Sequence, residues 1–259
     1  MPELPDVEHF RRIFYHTSLN KKIVEVKELD SGIIKDISRK SLAESLTGSK
    51  FITTDRLGKY FFVKTDRNKW LIFHFGMTGK FIYLKNKNDI PPYTRAYFEF
   101  EDSAISYVCV RKLGKIFLVN SKERFIEQKN LGPDALNIKW KIFRKRIKSR
   151  KKIKSALLNQ SVIAGIGNIY ADEILFQSGV HPGTLADRLY DKSIERLFQN
   201  TLKVLKTAID KKIDIDKFPR SWLIRKRKEN ADCPGKCRGK IKRIKINGRS
   251  TYYCPSCQK

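Results

Sequence analysis

The first residues of the chain place an amine next to a carboxyl group. Pro2 follows Met1 and is itself followed by Glu3. Because a small residue after an initiator methionine usually permits its removal, we expect Pro2 to become the N-terminus with a free secondary amine. Such an amine can attack an electrophilic sugar carbon and form a Schiff base, while the carboxyl group moves protons at that carbon. The same residues would also suit the first turn of an ordinary helix.

Four of the five cysteines lie close together at the end of the chain. They are arranged as Cys233-x3-Cys237-x16-Cys254-x2-Cys257. Two close pairs at this separation can provide four thiolates to one tetrahedral Zn²⁺, while the segment between them forms a β-hairpin with Asn247-Gly248 as its turn. We therefore predict one structural zinc ion, with iron or a redox dithiol as the alternatives. Cys109 stands alone and is expected to pack within a strand, and the odd count favours a reducing compartment.

A third pattern lies at Gly165-Ile166-Gly167-Asn168, directly before a segment with helical spacing. Glycines at these positions let the backbone approach a phosphate closely. A helix that starts near Asn168 directs its free N–H groups towards an anion. The sequence thus favours a phosphate-binding helix N-terminus here, and an ordinary capped turn is the alternative.

The charge of the chain points to a polyanionic partner. The 259 residues include 55 Lys and Arg against 27 Asp and Glu, which gives a formal net charge of +28. Such an excess repels itself unless it meets a polyanion, so nucleic acid is the leading partner. We expect no membrane insertion, because no apolar run approaches the ~20 residues of a membrane span. No signal-peptide pattern is evident, so we expect a cytoplasmic, DNA-associated protein.

The chain changes character near residue 120. A helix is predicted at 5–17, followed by eight strand-like runs rich in Ile, Val, Phe, Tyr and Thr. These runs lie at 22–28, 50–56, 59–65, 69–75, 79–84, 95–101, 104–110 and 115–119. Helical spacing follows at 121–129, 138–149, 153–160, 168–178 and 190–211, before a basic connector at 212–232. We predict an α+β multidomain protein with an antiparallel β-sandwich or barrel at 1–120, a helical domain at 121–228 and a zinc module at 229–259.

Together, the Pro2-Glu3 start, the glycine-rich segment and the cysteine module resemble the Fpg/Nei family of DNA glycosylases. The resemblance implies an N-terminal antiparallel β-sandwich with a leading helix, a helix–two-turn–helix domain and a C-terminal zinc-ribbon β-hairpin. It also implies that Pro2 is the catalytic nucleophile and Glu3 the catalytic carboxylate. In this family a lysine at the place of Lys59 reaches into the active site, so Lys59 is the third catalytic candidate.

The resemblance also implies six DNA-binding residues: Lys154, Asn168, Arg249, Met77, Arg111 and Leu113. In the family, the residues matching Lys154 and Asn168 hold the phosphate of the damaged nucleotide, and the one matching Arg249 contacts DNA near the lesion. The other three fill the gap that a flipped base leaves in the duplex. Leu113 stands where the Fpg branch has a phenylalanine, although a leucine can also wedge between bases.

These roles describe a bifunctional DNA glycosylase and abasic-site lyase of base excision repair. It would remove 8-oxoguanine and formamidopyrimidines through a Schiff base on Pro2, and then cleave the strand by β- and δ-elimination. Its partner would be double-stranded DNA with damaged bases or abasic sites, and the resemblance implies a monomer. Two alternatives stay open. One is a Nei-like preference for oxidised pyrimidines, which the short 212–232 connector would favour, and the other is a non-catalytic zinc-ribbon protein that binds nucleic acid.

Overall fold

The structure, a computed structural model, describes residues 1–27, 29–235 and 237–259. These residues form two compact units. Residues 1–2 and 6–129 make up the N-terminal unit, and residues 3–5 and 130–259 make up the C-terminal unit. The predicted division into three domains, at residues 120 and 228, stays a prediction.

Two β-sheets build the N-terminal unit. Its strands are β1 Glu25–Lys27, β2 Ile34–Lys35, β3 Phe51–Leu57, β4 Tyr60–Thr65, β5 Trp70–His74, β6 Lys80–Leu84, β7 Thr94–Glu99, β8 Ala104–Val108 and β9 Lys115–Val119. One sheet has the order β1-β7-β8-β6 and the other β2-β9-β5-β4-β3. All pairs of named strands in these sheets are antiparallel except β2 with β9, which is parallel.

Aromatic side chains fill the space between the two sheets, together with the helix α1 Leu4–Ser18. The ring of Phe14 on α1 lies 5.1 Å from Phe51, 5.1 Å from Phe61 and 5.3 Å from Phe81, measured between ring centroids. Each such ring removed from water contributes about 1.5–3 kcal/mol to folding. The core therefore confirms the predicted α+β fold with an N-terminal β-sandwich and a leading helix.

Two elements of the N-terminal unit were not predicted. The strand β2 has only two residues, and α2 Arg39–Leu46 buries only Leu42 and Leu46. Ser38 caps α2 by accepting a hydrogen bond from the N–H of Ser41 at 3.1 Å. Both elements are too short for hydrophobic periodicity to reveal them. The predicted strand at 22–28 is also shorter than expected, and Glu28 lies outside the described residues.

Helices dominate the C-terminal unit. After α3 Lys122–Gln128, which belongs to the N-terminal unit, come α4 Trp140–Ile147, α5 Ile153–Leu158, α6 Asn168–Ser178 and α7 Asp191–Asp210. Tight turns join α5 to α6 across residues 159–167. Eight of the 11 residues of α6 are buried. The helix α6 is therefore enclosed on nearly every side and lies at the centre of this unit. Most of its buried residues are apolar, as expected for an enclosed helix.

The cysteine module forms the predicted hairpin. Its strands are β10 Lys242–Ile246 and β11 Arg249–Tyr253, which pair antiparallel with Ile244 opposite Thr251. Asn247 and Gly248 have φ angles of 47° and 75°, as a two-residue turn with positive φ at both positions requires. The connector 212–232 contains two 3-10 turns, Ile215–Lys217 and Leu223–Lys226, and a third, Ala186–Arg188, precedes α7. None of the described helices is both long and apolar enough to span a bilayer.

Candidate functional site

The Glu3 carboxylate lies at the N-terminus of α6 in the C-terminal unit. It accepts hydrogen bonds from the backbone N–H groups of Gly167 at 2.9 Å, Ile169 at 2.8 Å and Tyr170 at 3.2 Å. Glu3 is only 1% exposed. The first N–H groups of a helix lack partners within the helix and carry a partial positive charge, so they stabilise a carboxylate. The helix thus holds this acidic group in one orientation.

This contact corrects our interpretation of the glycine-rich segment. We expected Gly165 and Gly167 to admit a phosphate, but both make room for the start of the chain instead. A side-chain carbon on Gly167 would overlap the Glu3 carboxyl group, and one on Gly165, where φ is +115°, would overlap Leu4. The N–H groups at the start of α6, which we expected to bind a phosphate, therefore bind a carboxylate of the protein itself.

The residue after Glu3 anchors the segment further. The N–H of Leu4 donates to the carbonyl oxygen of Gly165 at 3.1 Å, and the Leu4 side chain is fully buried in the core of the C-terminal unit. Pro2 is half-buried and directly precedes these two anchored residues. Its nitrogen becomes an amine only once Met1, which is 48% exposed, has been removed. Glu3, the residue next to the candidate nucleophile, is therefore held by its own side chain and by the backbone hydrogen bond of Leu4.

Lys154 lies inside the C-terminal unit and not on its surface. The side chain is 0% exposed, and Nζ lies 2.7 Å from Oδ1 of Asp172. Nζ also donates to Thr251 Oγ1 at 2.8 Å and to the carbonyl oxygen of Ser250 at 3.2 Å. Burial lowers the pKa of Lys154 and raises that of Asp172, while the attraction between the two charges opposes both shifts. A direct contact between Nζ and a DNA phosphate would require Nζ to leave these partners.

A second cation completes this buried group. Arg227, from the connector, donates to Oδ2 of Asp172 through Nε at 3.0 Å and Nη2 at 2.8 Å. Its guanidinium also lies over the ring of Tyr252, 4.5 Å from the centroid. Asp172 thus joins α6, the connector and the zinc hairpin. We did not single out Asp172 or Arg227 from the sequence, although an acidic pair, Asp172-Glu173, inside an otherwise apolar helix was the available signal.

Asn168 links α6 to the same hairpin. Its Nδ2 donates to the carbonyl oxygen of Ser250 at 3.1 Å, the oxygen that Lys154 also contacts. The amide nitrogen carries two hydrogens, so one remains for another acceptor. Asn168 and Lys154, which were predicted together, do meet in the structure, and their meeting point is a backbone oxygen of the zinc hairpin. Arg249, the residue before Ser250, is exposed.

Met77, Arg111 and Leu113 lie together on two adjoining loops of the N-terminal unit. Arg111 Nη1 is 3.3 Å from the Met77 sulfur, and the Arg111 N–H donates to Thr78 Oγ1 at 3.1 Å. The two loops pack so closely that a side-chain carbon on Gly76, where φ is +60°, would overlap the backbone of Leu113. Met77 is 39% and Leu113 48% exposed. The structure therefore presents two apolar side chains and one cation to solvent as a group.

Lys59 follows Gly58 in the tight turn between β3 and β4. Arg56 holds this turn, since its Nη1 donates to the carbonyl oxygen of Gly58 at 3.2 Å and its Nε to Glu8 at 3.2 Å. Burial alone would raise the pKa of Glu8, but Arg11 and Arg56 outweigh it and lower that pKa. The pKa of His74 falls to about 4 because the ring is buried and the Lys59 and Lys115 charges repel a proton. His74 is therefore neutral near pH 7.

The four cysteine sulfurs converge in the C-terminal unit. All four Sγ atoms, from Cys233, Cys237, Cys254 and Cys257, lie within 4.8 Å of one another. Tetrahedral Zn–S bonds of about 2.3 Å need sulfurs separated by less than this distance. Cys254 is fully buried and Cys233 nearly so, and the N–H of Gly235 points at the Cys233 sulfur at 3.4 Å. The four thiolates fit one structural Zn²⁺, and Lys236, the residue before Cys237, lies outside the described residues.

Comparisons with known proteins agree with this architecture. Three family models match the chain in order: the formamidopyrimidine-DNA glycosylase N-terminal domain at residues 1–116, the formamidopyrimidine-DNA glycosylase H2TH domain at 131–218, and a zinc finger found in FPG and IleRS at 235–259. A β-sandwich, a helix–two-turn–helix domain and a zinc finger in this order define a DNA glycosylase architecture.

Individual relatives cover the whole chain. The formamidopyrimidine-DNA glycosylase of Mycoplasma genitalium is 34% identical over 100% of this chain and 96% of its own length. That of Ligilactobacillus salivarius is 33% identical over 100% of this chain and 99% of its own. The chain belongs to the formamidopyrimidine-DNA glycosylase family.

Solved structures give the same result. A complex of Lactococcus lactis Fpg with DNA that contains an abasic site matches with a TM-score of 0.88 at 29% identity, over 99% of both chains. A mutant of that protein in complex with DNA containing Fapy-dG matches with a TM-score of 0.89 at 30% identity, over 100% of both chains. The fold of this chain is therefore the fold of that family, including its zinc finger.

Proposed function

We propose that this protein is a bifunctional DNA glycosylase and abasic-site lyase that removes oxidised bases from double-stranded DNA. The observation that carries the proposal is the Glu3 carboxylate, held by three backbone N–H groups at the start of α6 and adjacent in the chain to Pro2. An enzyme that makes a Schiff base needs an amine and a proton-transfer group in a fixed relation. It would act wherever the chromosome lies, as a protein of the cytoplasm and nucleoid.

The chemistry begins at the sugar of a flipped nucleotide. The Pro2 nitrogen attacks C1′, the bond between C1′ and the base breaks, and the base leaves with the bonding electrons and takes up a proton. Opening of the sugar ring gives the Schiff base, and the positive charge on its nitrogen makes the C2′ hydrogen acidic. Loss of that proton expels the 3′ phosphate by β-elimination, and δ-elimination then expels the 5′ phosphate. Water releases Pro2, and Glu3 moves the protons in these steps.

Other residues would bind and distort the duplex. Lys59 contacts the phosphate and sugar at the reacting nucleotide, while Asn168 and Arg249 bind the backbone. Lys154 acts by holding the Ser250 carbonyl oxygen and, through it, Asn168. Met77, Arg111 and Leu113 occupy the gap that the flipped base leaves. Their shared exposure on adjoining loops supports this role, because inserted wedges have to be presented to the duplex as a group.

The relatives support 8-oxoguanine and formamidopyrimidines as substrates. One solved relative is a complex of MutM with DNA containing carbocyclic 8-oxo-G, and another is a complex of Lactococcus lactis Fpg with DNA containing Fapy-dG. A preference for oxidised pyrimidines is the second candidate. The compact connector favours it, because Arg225 Nη1 binds three backbone oxygens there, those of Ile215, Asp216 and Phe218. A connector folded in this way offers little free chain to cover a large base.

Trapping with borohydride tests catalysis against simple binding. The protein is mixed with a duplex containing an abasic site and then reduced. We expect a covalent protein–DNA adduct from the unaltered chain and none from Pro2→Gly. Duplex binding without an adduct would leave the non-catalytic zinc-ribbon protein as the correct description.

A panel of duplexes, each with one oxidised base, then identifies the substrate. We expect release of 8-oxoguanine and formamidopyrimidine bases at higher kcat/KM than release of oxidised pyrimidines. The reverse order would establish the pyrimidine preference. Cleavage of abasic sites alone, with no base released from any duplex, would reduce the activity to a lyase.

A further inference from the structure

A cleft of about 350 Å³ lies in the C-terminal unit between α5 and the tip of the zinc hairpin. The lining residues that matter here are Lys151, Ser155, Leu158, Asn159, Ile246 and Arg249. None of the roles proposed above uses Lys151, Ser155 or Asn159. The cleft therefore combines one DNA-binding candidate, Arg249, with three polar residues that have no assigned task.

The charges at this cleft favour an anion. Lys151 and Arg249 are exposed, and neither forms an ion pair with any described residue, whereas the nearby Lys148 pairs with Asp191 at 2.9 Å. None of the described residues that line the cleft is acidic. Two unpaired cations facing one concave surface raise the local concentration of anionic ligands.

Polar groups inside the cleft also lack partners among the described residues. The Ser155 hydroxyl is buried and makes no hydrogen bond there. The Asn159 Oδ1 atom accepts from the N–H of Ser161 at 3.1 Å and its hydroxyl at 2.8 Å, which leaves the Asn159 Nδ2 hydrogens available. A buried polar group without a partner is costly to keep, so a ligand with acceptor oxygens would relieve that cost. Leu158 and Ile246 add an apolar wall, which suits a sugar better than a free inorganic ion.

The position of the cleft identifies the anion. Ser155 directly follows Lys154, and Arg249 directly precedes Ser250, whose carbonyl oxygen accepts from both Lys154 and Asn168. Each of these two cleft residues is therefore one position in the chain from a residue that lies at the candidate phosphate contact of Asn168. We propose that it binds the DNA backbone phosphodiester next to the one at Asn168, with Lys151, Ser155 and Asn159 as additional binding residues. This inference rests on the proposed function.

Binding of a duplex with a reduced abasic-site analogue tests the cleft without any chemistry. The dissociation constant is measured by fluorescence anisotropy over a series of salt concentrations. For Lys151→Ala we expect weaker binding and a slope of log K against log [salt] that is shallower by about 0.9, the value for one lost phosphate contact. For Ser155→Ala we expect about tenfold weaker binding with an unchanged slope, and for Ser155→Asp a larger loss.

Lys206→Ala is the matched control, because Lys206 is an exposed lysine on α7 that does not line the cleft. It should change neither affinity nor slope. If Lys151→Ala and Ser155→Asp bind the duplex as the unaltered protein does, the inference is wrong. Binding of inorganic phosphate to the cleft, together with unchanged duplex affinity in the variants, would also overturn the inference. Adduct formation by the unaltered chain tests the proposed function separately.

Discussion

Gly167 has no room for a side chain because the Glu3 carboxyl group occupies that space. The same carboxylate accepts the Gly167 N–H at 2.9 Å. A glycine in the middle of the chain and an acidic residue at its start are therefore parts of one arrangement. This relationship explains why residues 3–5 belong to the C-terminal unit, and it leads to the first prediction.

Gly167→Ala should displace Glu3 and impair catalysis. A methyl group at this position would force the carboxylate away from the N–H groups of α6, and a displacement of about 1 Å at a reacting group can cost about 10²-fold in rate. We expect that loss in single-turnover cleavage of an abasic duplex. Gly183→Ala is the control, because its nearest neighbour is the movable His181 ring at 3.1 Å. Equal rates for both variants would show that the Glu3 position does not matter.

The buried charges around Asp172 should be important for stability. Lys154→Ala would leave Asp172 buried with one of its two cations missing, and breaking a buried pair costs about 3–5 kcal/mol. The control is Asp191→Asn, which removes an exposed carboxylate paired with Arg144 and Lys148 and should destabilise the protein far less, because exposed ion pairs contribute little to stability. Urea unfolding of the two variants measures the difference. Similar costs would mean that Lys154 contributes no more than a surface charge.

Stability should depend on the protonation of Glu173. Burial raises the pKa of this carboxyl to about 7 from its usual 4.5, although Gln177 and the N–H of Ile224 oppose the shift. Because the folded state binds the proton more tightly, this stabilisation is complete below pH 4.5 and is lost as the pH rises through 7. The unaltered protein should lose about 3 kcal/mol from this group over that range.

Glu173→Gln isolates this effect, since the amide cannot titrate. The free energy of unfolding in urea, measured from pH 5 to 8, should fall more steeply for the unaltered protein than for the variant. His74, whose pKa is lowered to about 4, has the opposite trend in both proteins and cancels in the difference. Parallel curves for the two proteins would contradict the prediction.

Removal of zinc should weaken DNA binding. The hairpin is too small to fold by burial alone, and structural zinc contributes about 10–16 kcal/mol to such modules. A chelator should release one Zn²⁺ per chain, and amide exchange in β10 and β11 should become fast. Duplex affinity should fall with it, because Arg249 lies on β11. Unchanged affinity after complete zinc loss would show that the hairpin does not bind DNA.

The sequence predicted the larger features of this fold because each has a local signature. Alternating strands, the cysteine spacing and the Asn247-Gly248 turn depend on neighbouring residues. The relation of Glu3 to Gly167 spans 164 positions, so no local pattern contains it. The sequence predicted an anion site at the start of α6, but it did not predict that Glu3 occupies this site.

Burial of charge was equally hidden from the sequence. A lysine is ordinarily a surface residue, and only the structure shows that Lys154 faces Asp172 with both side chains fully buried. Arg227, in a connector with no clear periodicity, gave no sign of its contact with Asp172. The short α2 and β2 were missed because each has too few residues for a repeat.

The most direct test of the central claim is to locate the covalent bond between protein and DNA. After borohydride reduction on an abasic duplex, the adduct is digested and its peptides are weighed by mass spectrometry. We predict that the added mass lies on Pro2 as the first residue of the chain, and that protein retaining Met1 forms no adduct. An adduct on a lysine such as Lys59, or one that forms equally well with Met1 in place, would contradict the account.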